Sequence, residues 1–131
     1  IYSNGITALV DTGNDDDKAI ELLHKYGIKT LDYIILSHYH DDHTGGLYEI
    51  VNSINTDTVI GSRRYEGDEF YDAYESVIDF SREQKVEFKT AYDGMSIDVG
   101  ELVLDFYVFA NEYKDENNKS IILTFSDSSF P

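Results

Sequence analysis

His38, His40 and His43 stand within the six residues His38-Tyr39-His40-Asp41-Asp42-His43, and the whole chain of 131 residues holds one further histidine, His24. Imidazole and carboxylate are ligands of zinc, iron and manganese, so a segment this dense in both reads first as a metal site. The spacing supports that. On an extended backbone, residues i and i+2 leave on the same side, and His38 and His40 can offer two nitrogens to one ion. Asp42 and His43 add an oxygen and a third nitrogen just beyond. A lone His-x-His arises often by chance and usually does nothing but solvate a loop, but four donors in six residues is a different pattern. His24, by contrast, sits alone on an amphipathic stretch and is expected to be exposed.

The flanking sequence says what must position these donors. Tyr33-Ile34-Ile35-Leu36 is a continuous apolar run of strand length, as in a strand covered on both faces. After the histidines come Thr44-Gly45-Gly46 and then Leu47, Ile50, Val51 and Ile54 at helical spacing. The cluster is therefore expected in a loop between a buried strand and a helix. Layered α/β folds place their sites in such loops, at the carboxyl ends of strands, and the two glycines allow the helix to pack closely.

Elsewhere, Ile6 to Val10 reads as a strand stopping at the turn signal Asp11-Thr12-Gly13. A helix follows whose first turn holds Asp15, Asp16 and Asp17 and whose apolar face holds Ile20, Leu23 and Tyr26. The three aspartates match the helix dipole and lack the alternation of a calcium loop. Thr58 to Ile60 is a further strand, and residues 68–83 carry an aromatic stripe at helical period, expected in the core. From Val86 the period changes to two. Val86 to Phe88, Ile97 to Val99, Leu102 to Val108 and Ser120 to Phe125 read as strands, with tight turns at Asp93-Gly94 and Gly100. Strands alternate with helices first and dominate later, which points to an α/β domain with mixed sheets.

Composition bounds the function. With 41% apolar residues the chain can fill a core, and its length is that of one domain, 1–131. The absence of cysteine excludes disulfides, thiolate zinc sites and a cysteine nucleophile, and leaves the compartment open. A net charge of −16 repels phosphate backbones, so strong nucleic-acid binding is not expected. Arg63-Arg64 is the one adjacent basic pair; it reads as surface solvation, although with Tyr65 it follows a strand end from which a substrate could be reached. No run approaches the ~18 apolar residues of a membrane helix.

His38-x-His40-x-Asp42-His43 resembles the signature of the metallo-β-lactamase superfamily, whose members are mostly metal-dependent hydrolases. Val10-Asp11-Thr12-Gly13 before a helix, Gly27-Ile28, Leu31-Asp32-Tyr33 and Gly45-Gly46-Leu47 are similar to the branch that includes the hydrolase-like domain of bacterial competence proteins of the ComEC type. The resemblance implies an αββα sandwich in which His38 and His40 hold one ion and Asp42 and His43 a second. Zinc is the expected metal, one or two ions per complete site, with manganese or iron as alternatives. It also implies a water activated by those ions and oriented by Asp42 as catalytic carboxylate, acting on a small ester or a phosphodiester.

The same pattern calls for further donors, among them an aspartate shared by both ions, and no histidine follows His43. By the resemblance Asp127 falls in the turn before that aspartate. The chain is thus expected to be the amino-terminal part of the fold, cut at both ends. Half-sites of two residues bind weakly unless Asp41 or another chain completes them, and an exposed sheet edge invites self-association. The alternative expectation is a non-catalytic module of the same fold that binds metal weakly or mediates assembly.

Overall fold

The structure is a computed structural model that describes residues 1–12, 18–37, 39, 46–108 and 121–127. Its centre is a five-stranded sheet in sequence order: β1 (Tyr2–Ser3), β2 (Ile6–Val10), β3 (Thr30–Leu36), β4 (Asn55–Gly61) and β5 (Glu87–Thr90). The pairings from β2 to β5 are parallel, with Leu9 opposite Ile34, Leu36 opposite Gly61, and Gly61 opposite Thr90. A second, antiparallel sheet is formed by β6 (Ser96–Val99), β7 (Leu102–Val108) and β8 (Ile121–Asp127).

Three helices complete the described elements: α1 (Lys18–Lys25), α2 (Leu47–Ser53) and α3 (Tyr71–Glu83). They lie on one face of the large sheet, where Ile34, Leu36 and Val59 meet Leu47, Ile50, Tyr74 and Val77 in one core. On the opposite face Ala8, Ile35 and Ile60 meet Val99, Leu104, Phe106 and Ile121 of the small sheet in another. The apolar run of β3 is thus covered on both sides because alternate residues feed two different cores. Helix layer, mixed sheet and antiparallel sheet are three layers of the expected αββα sandwich.

Several expectations are corrected in detail. β1 is additional to the strands expected from the sequence, although Asn4-Gly5 is a strong hairpin signal; both residues have positive φ, 49° and 83°, as a primed turn needs. Asp93-Gly94 does not join two strands of one sheet. β5 is parallel to β4, and the chain crosses at that turn from the large sheet to the small one. α1 contributes no fully buried residue, and Leu22 and Tyr26 are exposed. Asp127 is the last residue of β8, opposite Leu102, rather than part of a turn. His24 is exposed, as its isolation implied.

Candidate metal centre

The carboxyl ends of the parallel strands converge where the sequence places the donors. β3 ends at Leu36, and Ser37 leads directly into His38. His38, His40, Asp41, Asp42 and His43 lie outside the described residues, as do the helix-capping positions 14–17. The structure shows the frame around the donors: the residue before them, the tyrosine between the first two, and the helix that begins after the last.

The preceding residue is held from two sides. Asp11, the first residue past β2, accepts a hydrogen bond at Oδ1 from the Ser37 N–H (2.8 Å) and at Oδ2 from the Ser37 hydroxyl (2.7 Å). Its own N–H donates to the Ile35 carbonyl (2.7 Å). Asp11 adopts φ 60°, a left-handed conformation that Asp and Asn tolerate better than other residues with a side chain. On the other side, the Ile121 N–H of β8 donates to the Ser37 carbonyl (3.2 Å), so the small sheet is tied to the same residue. The turn read at Asp11-Thr12-Gly13 is therefore also a clamp.

Between the first two histidines, Tyr39 is buried at 2% exposure. Its hydroxyl donates to the Ser62 carbonyl just past β4 (2.6 Å), and its ring meets Tyr74 of α3 edge-on at 6.0 Å between centroids. Burial of the phenol raises its pKa well above the ordinary value and keeps it neutral, with Tyr74 adding to that effect. Gly61 makes the approach feasible, since a β-carbon there would stand 2.5 Å from the Tyr39 oxygen.

Arg64 corrects the surface reading of the Arg63-Arg64 pair. Its side chain is buried, and its guanidinium lies 5.9 Å from the centroids of both Tyr39 and Phe70 and 3.2 Å from Asp68 Oδ2. Desolvation pulls its pKa down while Asp68 and Tyr39 work against that, the balance expected for a buried cation given a carboxylate and two ring faces. Arg63 remains exposed and stacks on the exposed Tyr65 at 5.2 Å, the only member of that pair placed to meet a solute. After the donors, Gly46 sits at the N-cap of α2, where Leu47 and Ile50 are buried.

Among the described residues no three His, Asp or Glu side chains form a group able to hold an ion, and the candidate donors named from the sequence lie outside them. Their chemistry, three imidazoles with interspersed carboxylates, suits zinc or manganese. The frame suits it too. Ser62, the residue after the Leu36–Gly61 pair of the β3–β4 register, carries a buried hydroxyl with no hydrogen-bond partner among the described residues. Sequence reading did not single out Tyr39 or Ser62 and placed Arg64 at the surface; an aromatic residue interleaved between polar donors was the available signal.

The family model of the metallo-β-lactamase superfamily matches residues 1–108. The chain belongs to that superfamily. Solved metallo-β-lactamase folds superpose on nearly all of it: a Cronobacter sakazakii metallo-β-lactamase with a HARLDQ motif at a TM-score of 0.67 and 17% identity, covering 98% of this chain and 51% of the other. The metallo-β-lactamase fold protein YhfI of Bacillus subtilis superposes at 0.59 and 19%, covering 98% and 56%. The chain is also 34% identical over 65 residues to the anti-Pycsar protein Apyc1 of a Bacillus phage, a stretch that is 50% of this chain and 24% of that protein. It thus spans about half the length of these solved relatives.

Proposed function

We propose that the chain carries the primary metal-binding segment of a metal-dependent hydrolase acting on a small ester or a phosphodiester. The observation that supports this most is the convergence on Ser37. Asp11 and β8 both fix the residue that leads into His38-x-His40-x-Asp42-His43, in a chain of this superfamily. His38, His40, Asp42 and His43 are the residues proposed to hold the metal, zinc or manganese. When bound, such an ion lends acidity to water at neutral pH and polarises a carbonyl or phosphoryl oxygen. The chain's own part is to orient: Asp42 is the carboxylate assigned to receive a proton from the attacking water, and Arg63, exposed beyond β4, is the cation available to an anionic substrate. The likeness of residues 10–13, 27–33 and 45–47 to the competence-protein branch supports a site completed by an aspartate beyond β8.

A second reading is favoured by one feature, the absence of any histidine after His43. On it the chain binds metal weakly and turns nothing over. Bis-p-nitrophenyl phosphate hydrolysis with zinc or manganese separates the two. The first reading expects metal-dependent turnover that falls to background in the His38→Ala, His40→Ala double variant. Metal uptake without turnover selects the second, and uptake equal in wild type and double variant rejects both.

A further inference from the structure

We propose that Tyr39 is a positioning residue for the metal site: its buried phenol draws the centre of the donor segment onto the end of β4, with the Arg64–Asp68 pair as its support. The inference rests on the metal-site reading above and adds to it a residue that is not itself a donor.

Tyr39 is anomalous for its place in the sequence. A residue inside a loop of histidines and aspartates would ordinarily be solvated, yet Tyr39 is as buried as the strand core. Four elements are shaped around it. The Ser62 carbonyl at the end of β4 accepts its hydroxyl at 2.6 Å. Gly61 leaves the space its oxygen occupies. Tyr74 of α3 supplies an edge-on ring at 6.0 Å. Arg64, at 1% exposure, lies beside its ring and is balanced by Asp68. Burying an arginine is costly unless its charge is answered on several sides, and here one of those answers is the Tyr39 ring. The tyrosine is therefore integrated with its surroundings rather than filling a gap.

The consequence for the donors comes from backbone geometry. Tyr39 is bonded directly to His38 on one side and His40 on the other, so anchoring its side chain limits the positions open to both neighbours. Asp11 fixes the same segment one residue before His38. Two anchored residues, one on each side of the first donor, are what a preformed site would need, in contrast to one that must be ordered by the metal.

The test compares zinc affinity, by competition with a chromophoric chelator, and the visible spectrum of the cobalt(II)-loaded chain in wild type, Tyr39→Phe, Gly61→Ala and the double variant. Tyr39→Phe keeps the ring and loses the hydroxyl; we expect zinc affinity to fall roughly tenfold, the usual cost of removing an outer support, with altered cobalt bands and little change in far-ultraviolet circular dichroism. Gly61→Ala removes no group but drives a methyl against the phenol oxygen, and should weaken zinc similarly. In the double variant the two losses should add only in part, because the closest clash is with the atom that Tyr39→Phe deletes, while the milder crowding against Phe88 Cζ at 3.3 Å and the Tyr39 ring at 3.4 Å remains. Wild-type zinc binding with unchanged affinity and cobalt spectra in both single variants overturns the positioning role and leaves the metal site standing. Fully additive losses also overturn it, since they mean that Gly61 acts elsewhere. A wild-type chain that takes up no zinc overturns both readings.

Discussion

α1 and α3 lie on the same face of the same sheet, and they are held very differently. α3 buries Tyr74, Val77 and Ser81, and Tyr74 packs edge-on against both Tyr39 and Phe88 at 6.0 Å. α1 buries nothing completely: Ala19, Ile20 and Leu23 lean on the core, while Leu22 and Tyr26 stand 54% and 72% exposed. Beneath α1 an apolar cavity of about 750 Å³ opens between Leu22, Leu23 and Tyr26 on one side and Ile1, Leu9 and Leu31 on the other. The difference shows which side of the frame around the candidate donor segment is the more tightly packed. The β3–β4–α3 side, against which Tyr39 and Arg64 pack, is filled; among the described residues the α1 side is linked to Ser37 through Asp11.

The largest effect should come from emptying the filled side. Tyr74→Ala deletes a buried ring that packs against three others, Tyr39, Tyr71 and Phe88, and truncations of this size cost about 3–5 kcal/mol. Urea unfolding should show that loss as a lowered midpoint at unchanged slope. A loss below about 1 kcal/mol, the typical cost of an unexceptional point mutation, would mean that α3 is no better packed than α1.

Next in size is the link between the two sides. Asp11→Ala strands the Ser37 N–H and puts alanine into a left-handed conformation, each costing about 1–2 kcal/mol. Asp11→Asn tolerates that φ, and its amide can still accept from the Ser37 N–H and donate to the Ser37 hydroxyl. It should therefore retain most of the stability, with a loss below about 1 kcal/mol. Thermal melts of the two variants check the order. Equal losses would assign the effect to charge rather than to the paired hydrogen bonds.

The filled region is easier to read from sequence than the open one. Leu36, Leu47, Ile50 and the aromatic stripe of α3 announce themselves by period, because each element meets one core and a single spacing describes it. The donor segment is legible from residue types alone. Arg64 is not: two adjacent arginines carry the same local signal whether solvated or buried, and only the rings of Tyr39 and Phe70, 25 residues before and six after, decide which. The partner of β5 is hidden for a related reason. Asp93-Gly94 is a turn in either topology, and what commits β5 to the parallel sheet is the pairing of its residues with β4, capped by the Ala91 N–H donating to the Gly61 carbonyl (2.9 Å). Period and turn chemistry are local quantities; sheet membership is not.

The smallest effect is the one that sharpens the contrast most. Leu22→Ser on α1 removes an apolar side chain from a wall of the cavity without creating a new void, since the space beside it is already open. A substitution at a half-exposed position with no hydrogen bond to lose should move stability by no more than about 0.5 kcal/mol, against several for Tyr74→Ala on the same face. The comparison is internal, because both helices pack on the same core and the same denaturant curve reads both variants. If Leu22→Ser instead cost about 2 kcal/mol or more, the size of effect expected for truncation of a well-buried leucine, then the cavity beneath α1 is closed in solution. The two sides of the frame would then be equally rigid, and the donors would be braced through α1 as firmly as through Tyr39.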